Sequence, residues 1–201
     1  MKYCFFILLF SLISCVKREN GNSVEKRQAQ KVIVIQPLGD FELEQSNKVL
    51  SEIRIVNPNV VLRKNIPFPE KAYYKPRNRY RADSIIKNLK NNIGQDSVIV
   101  GLSNCDISTT KNRIKDWGVM GLGYRPGKAC VVSDFRLTVK NKNQQFYKLV
   151  LHELGHTAGL PHCTVKTCLM RDAEGGNHLD EENDFCRNCK NFLLKKGWEL
   201  I

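Results

Sequence analysis

Two rhythms of apolar and polar positions run along the chain. Residues 31–37, Lys-Val-Ile-Val-Ile-Gln-Pro, form a continuous apolar run stopped by Pro37 and Gly39, the signature of a buried first strand. From Phe41 to about Glu52 the spacing of Phe41, Leu43, Val49 and Leu50 predicts a helix, with Asp40 as its N-cap. Ile53-Arg54-Ile55-Val56 reads as a second strand that ends near Pro58. Residues 64–78 hold three prolines and two tyrosines and read as a loop. A helix is expected over about Tyr80 to Asn92, with Ile85, Ile86 and Leu89 on its inner face. Ser97–Leu102 is a third strand. Strands alternating with helices predict crossover units and a largely parallel sheet, hence an α/β fold.

Residues 115–137 break that alternation. Trp117–Tyr124 is apolar but rich in glycine, Arg125–Lys128 looks like a turn, and Ala129–Ser133 is strand-like. So short a connection favours an antiparallel pair. A helix then begins around Gln144, with Phe146, Leu149, Val150 and Leu154 as its buried stripe, and runs to Gly159. A last helix is expected over about Glu181–Leu194.

The third helix carries the chemistry. The chain has four histidines, and three lie within residues 152–162, His-Glu-Leu-Gly-His-Thr-Ala-Gly-Leu-Pro-His. His152 and His156, four apart, share one helix face. Two imidazoles there suit a zinc ion, and Glu153 stands beside them as a candidate general base. Gly159 can end the helix in a left-handed conformation and turn the chain so that His162 returns as a third ligand. Three histidine ligands leave a fourth tetrahedral position open, the arrangement of a catalytic zinc.

Four cysteines follow: Cys163 and Cys168 as C-x4-C, then Cys186 and Cys189 as C-x2-C. Thiolates so spaced can close a structural zinc site, and a metal staple would order a tail with little apolar content. Disulfides are the alternative in an oxidising compartment. Cys105 and Cys130 stand outside this cluster as expected buried thiols, a disulfide between them being the alternative.

The N-terminus leads to the expectation of a cell-envelope protein. Lys2 precedes an apolar run over residues 3–13, too short to span a bilayer as a stable helix, which reads as a secretory signal. Leu12-Ile13-Ser14-Cys15 resembles a bacterial lipobox, which implies a signal peptide over 1–14 and a lipidated Cys15. Residues 16–30 are polar and aperiodic, so 15–30 reads as a lipidated tether and 31–201 as the folded domain. The anchor is expected on a membrane, facing the periplasm or the cell surface. The net charge of +12 raises nucleic acid as a partner. Residues 63–90 hold nine Lys/Arg against two Asp/Glu, yet no nucleic-acid-binding motif accompanies them, so a basic surface without nucleic acid is expected.

The composite pattern His152-Glu153-x-x-His156-x-x-Gly159-x-x-His162-Cys163, Cys168-x-Met170 and Cys186-x-x-Cys189 closely resembles the archaemetzincins, compact metzincin-type zinc peptidases with a second, four-cysteine zinc. Pro37–Phe41, Arg79-x-Arg81-Ala82, Cys105-Asp106 and Ser133-x-x-Arg136-Leu137 also look like family positions, so the resemblance covers about residues 31–194. It implies a five-stranded mixed, mostly parallel sheet with one antiparallel edge strand, packed against an active-site helix and followed by a zinc-stapled C-terminal part. It further implies His152, His156 and His162 as ligands of the catalytic zinc and Glu153 as general base. Met170 would sit in the turn beneath the metal, and Cys163, Cys168, Cys186 and Cys189 would hold the second zinc. Fifteen residues separate Met170 from Cys186, fewer than is usual in the family, and the lipoprotein leader is not a general family feature.

The expected activity is peptide hydrolysis by a monomer with two zinc ions, acting on a peptide or protein that adds a strand to an edge within Trp117–Leu122. Cleft walls are expected from loops 64–78 and 171–180, with His178 either facing solvent or lining the cleft. The alternative is a zinc-stabilised, catalytically silent binding lipoprotein, although such a module has no need of Glu153. A polyanion binder using residues 63–90 is a third reading.

Overall fold

A computed structural model describes residues 31–200; the signal, Cys15 and the tether lie outside the described residues. Five strands form the central sheet: β1 (Val32–Pro37), β2 (Val60–Leu62), β5 (Ser97–Ser103), β8 (Gly121–Gly123) and β9 (Ala129–Ser133), in the order β2-β1-β5-β9-β8. The first four run parallel, and β8 pairs antiparallel with β9 at the edge. This is the five-stranded mixed sheet that the resemblance implies, and its parallel strands with one antiparallel pair are what the sequence pattern predicts.

Strand alternation divides the core into two. Ile33 and Ile35 of β1, Val98, Val100 and Leu102 of β5, and Cys130 and Val132 of β9 face one side. There they meet α1 (Leu43–Val56) and α3 (Lys142–Ala158). Val34, Ile99 and Val131 face the other side and meet Ile85, Ile86 and Leu89 of α2 (Ala82–Lys90). A strand with both faces covered must be apolar throughout, which is why these runs are continuous. A Cβ on Gly101 would stand 2.8 Å from a methyl of Leu89, so the glycine lets α2 approach the sheet.

Several sequence expectations are corrected here. Ile53–Val56 is the end of α1, not a strand. Val49, Ile53 and Val56 form its buried stripe at helical spacing, while Ile55 is exposed, and the strand comes after Pro58. The last helix, α4 (Arg187–Lys195), begins later than expected, so Cys186 is its N-cap and Cys189 lies in its first turn. Residues 64–78 contain β3 (Tyr73–Tyr74) rather than loop alone, and Tyr80 belongs to β4 (Arg79–Arg81) rather than to α2.

These two short strands join β6 (Ile107–Lys111) and β7 (Ile114–Val119) in a second sheet, β3-β4-β6-β7. It is locked by ion pairs and a hydrogen bond. Arg136 grips Asp106 in a two-pronged contact at 2.7 and 3.0 Å, Arg79 meets Asp106 at 3.1 Å and Asp116 at 3.4 Å, and Ser133 Oγ donates to the Cys105 carbonyl at 2.6 Å. Arg79, Cys105, Asp106, Ser133 and Arg136, upstream positions that resemble the archaemetzincins, thus meet in one network, while Pro37–Phe41 lies outside it. No described helix is long and apolar enough to cross a membrane.

Candidate active site and metal centres

Helix α3 presents His152, Glu153 and His156 from its last turns to a cleft of about 940 Å³ between β8, the β6–β7 hairpin and residues 171–182. Gly159 closes the helix at φ 115°, and the chain then brings His162 back to the other two histidines. One ligand atom from each of the three lies within 4.8 Å of the others.

Their outer nitrogens are already engaged. His152 Nδ1 is 2.6 Å from the Leu169 carbonyl, and His156 Nδ1 is 2.8 Å from the Leu160 carbonyl. A carbonyl only accepts, so the proton sits on Nδ1 and each Nε2 keeps its lone pair free. His162 Nδ1 lies 3.1 Å from Asp172 Oδ2, which fixes that ring the same way. Burial, then the neighbouring His156, pushes the His152 imidazole down to about 3, and burial lowers His156 as well. Neutral imidazoles converging by Nε2 suit a zinc ion.

Met170 is fully buried directly beneath this face of α3; a Cβ on Gly155 would reach to 2.6 Å from its Sδ. Gly155, one turn from His152 and next to His156, is therefore the position that lets the thioether pack under the histidines.

Glu153 lies under the edge strand. Cβ atoms on Gly121 and Gly123 would stand 2.4 Å from its Oε1 and 3.0 Å from its Oε2. The alternation Gly121-Leu122-Gly123 thus gives β8 a bare face over the carboxylate, while Leu122 packs on the α2 side. Burial pushes the Glu153 carboxyl up to about 8. The expected edge within Trp117–Leu122 is corrected in part. Trp117–Val119 belongs to β7 of the second sheet, and the free edge of the five-stranded sheet is Gly121–Gly123.

The cleft walls differ from expectation too. Residues 171–179 line it, but 64–78 do not; Phe68 of that segment stacks on Tyr80 instead, at 4.0 Å between ring centroids. The β6–β7 hairpin supplies the other wall through Thr109, Lys111 and Trp117, and His178 lines the cleft. Sequence reasoning missed Asp172 and Glu182. The first was within reach of a search for carboxylates near His162; the second carried only the weak signal of an acid three residues after the buried Leu179.

The four cysteines come together as well. Ligand atoms of Cys163, Cys168, Cys186 and Cys189 lie within 4.8 Å of one another, and all six described cysteines are free. Cys163 and Cys186 sulfurs are 3.7 Å apart. A disulfide needs about 2.05 Å, whereas thiolates about 2.3 Å from a tetrahedral centre stand roughly 3.8 Å apart. Backbone N–H groups of Cys186 and Met170 donate to Cys168 Sγ at 3.2 and 3.5 Å, and that of Val165 to Cys163 Sγ at 3.5 Å, as suits sulfurs carrying negative charge. The donor set and its spacing fit zinc rather than disulfides. Cys105 and Cys130 form no bridge either, and Cys130 is sealed within β9.

Comparison with known proteins follows the same line. The model of peptidase family M54 matches residues 34–196. The chain belongs to peptidase family M54. Among family relatives, the archaemetzincin of Natronomonas pharaonis is 28% identical over 174 residues, covering 80% of this chain and 98% of that protein. The archaemetzincin of Methanopyrus kandleri is 30% identical over 161 residues, covering 77% and 86%. The crystal structure of archaemetzincin from Archaeoglobus fulgidus, complexed with malonate, superposes with a TM-score of 0.69 at 25% identity over 80% of this chain and 98% of that one. M54 membership makes this chain a zinc metallopeptidase, a hydrolase.

Proposed function

We propose that the chain hydrolyses peptide bonds within an extended peptide laid along β8, with His152, His156 and His162 holding the catalytic zinc and Glu153 as general base. The observation that carries this reading is the convergence of three free Nε2 positions beside a buried carboxylate, beneath a glycine-faced sheet edge. The chemistry zinc supplies when bound is Lewis acidity, which polarises a carbonyl and acidifies water to a pKa of about 7.

The chain's own groups do the rest. The free edge of β8 offers backbone N–H and C=O groups to a substrate strand, which fixes the scissile bond over Glu153. Glu153 takes the proton of the attacking water, whose oxygen bonds to the carbonyl carbon. As the C–N bond breaks, Glu153 returns the proton to the leaving amine. Burial favours the protonated acid, so the carboxyl is suited to hold the proton between its uptake from water and its return to the amine.

Cys163, Cys168, Cys186 and Cys189 are assigned to a second, structural zinc, giving two ions per monomer. Residues 1–14 are read as a signal peptide, Cys15 as the lipid-bearing residue, 15–30 as a tether and 31–201 as the peptidase domain on a bacterial envelope membrane. Leu12-Ile13-Ser14-Cys15 is the support for the anchor, and Cys15→Ser is expected to release the protein from membranes into the soluble fraction.

The decisive experiment compares the zinc-loaded full chain with Glu153→Gln on a diverse peptide library. A loss of about 10²- to 10⁴-fold in turnover, with the metal content unchanged, is expected. Equal turnover by the two proteins would sink the assignment.

A further inference from the structure

One wall of the cleft ends in a carboxylate that the proposed reaction does not use. Glu182 lines the cleft and is 3% exposed. Its Oε2 is sealed from solvent with no hydrogen-bond partner. The other acids of the cleft are accounted for: Asp83 accepts from Thr109 and Tyr124, Asp172 holds His162, Glu153 lies under β8, and Glu174 is exposed on its turn. A buried, unpartnered acid is costly unless something arrives to pair with it.

The segment that carries Glu182 is held rigidly against α3. Lys148 Nζ donates to the carbonyls of Leu179 and Glu182 at 2.7 and 2.6 Å. Asn177 Nδ2 donates to Gln145 at 3.1 Å, and the N–H of Glu182 to the His178 carbonyl at 3.3 Å. Lys148 is therefore committed to backbone carbonyls, and Arg171 to Glu181 at 2.7 Å, so neither forms an ion pair with the Glu182 carboxylate. Leu149 and Leu179 supply apolar walls that suit the methylene stem of a long side chain.

The topology says which substrate residue reaches this recess. The chain leaving β8 comes to Gly127, whose N–H donates to Thr157 at 3.0 Å. Leu149 lies one helical turn before Glu153, on the Met120 side of β8. A strand added antiparallel to β8 runs from the Arg125 end towards the Met120 end. Its residue just after the scissile bond is then the one that faces Leu149, Leu179 and Glu182.

We propose that Glu182 forms the floor of a subsite that selects a lysine or arginine side chain immediately C-terminal to the scissile bond. This rests on the peptidase reading and narrows its substrates to peptides basic at that position. Burial, the main cause, pushes the Glu182 carboxyl up to about 7 against the lowering pull of Lys148 and Arg171, as befits an acid waiting for a cation.

The test uses the zinc-loaded full chain and a peptide series identical except for Lys, Arg, norleucine or Glu after the scissile bond. Wild type is expected to favour Lys and Arg over norleucine by roughly tenfold or more in kcat/KM, with Glu cleaved least. Glu182→Gln should bring the Lys-to-norleucine ratio close to one, and Glu182→Lys should favour the Glu peptide; thermal unfolding and zinc content report whether each variant is folded. A flat preference in wild type, or a preference unchanged in Glu182→Gln, overturns the subsite. If wild type cleaves no peptide, the peptidase reading fails separately. Fluorescence anisotropy of the same labelled peptides then decides the subsite, where equal affinity for Lys and norleucine overturns it.

Discussion

Gly121 and Gly123 set how close β8 comes to Glu153. With an alanine at 121 the new methyl would sit 2.4 Å from Oε1 and 2.7 Å from Cγ of Glu153, so the carboxylate must swing away. Misplacement of a catalytic group by about 1 Å costs on the order of a hundredfold in rate. Gly121→Ala is therefore expected to lower kcat by that order while the protein keeps its zinc, a result that metal analysis beside steady-state kinetics would check. Unchanged kcat would mean that the carboxylate position is not critical. The site histidines were legible in the sequence because metal chemistry fixes residue type and spacing together. Glu182 was not, because nothing local marks an acid whose partner is a substrate. The two glycines were visible, but the carboxylate they accommodate lies some thirty residues further along the chain.

At the scale of elements, α3 must satisfy the sheet above and Met170 below. Gly155 is what permits both. Gly155→Ala would improve helix propensity by up to about 1 kcal/mol, yet its methyl would stand 2.6 Å from the buried Met170 Sδ. Overpacking of this kind costs about 1–3 kcal/mol, so net destabilisation is expected, to be read from urea unfolding. A gain in stability would show that the turn beneath the histidines yields easily. The strands of the central sheet were largely readable, since burial on both faces leaves a long apolar run. Ile53–Val56 misled because four apolar-rich residues carry no period of their own; only with Val49 does the helical stripe emerge. The second sheet escaped notice because its strands are two to six residues long and held by Arg–Asp contacts across the chain rather than by apolar pattern.

At the scale of the molecule, the two candidate metal centres share one short stretch of backbone. His162 is followed directly by Cys163, whose N–H donates to the Met170 carbonyl at 2.7 Å. Leu169, whose carbonyl orients His152, sits between Cys168 and Met170. On the two-zinc assignment proposed above, Cys189→Ser is expected to empty the sulfur site and also to weaken metal retention by the histidines. Titration with a chelator, followed by the metal content of each variant, would check it; a histidine site that holds zinc as tightly as before would show the centres to be independent. On that assignment, residues 162–170 would make the binding of the two ions a single thermodynamic cycle. Whatever factor the sulfur-bound ion adds to the affinity of the histidines, the histidine-bound ion must return to the thiolates. A chain that has captured one metal would, by that reciprocity, be biased to keep its cysteines reduced and ligated, a protection of direct use if the envelope location proposed above exposes them to oxidation.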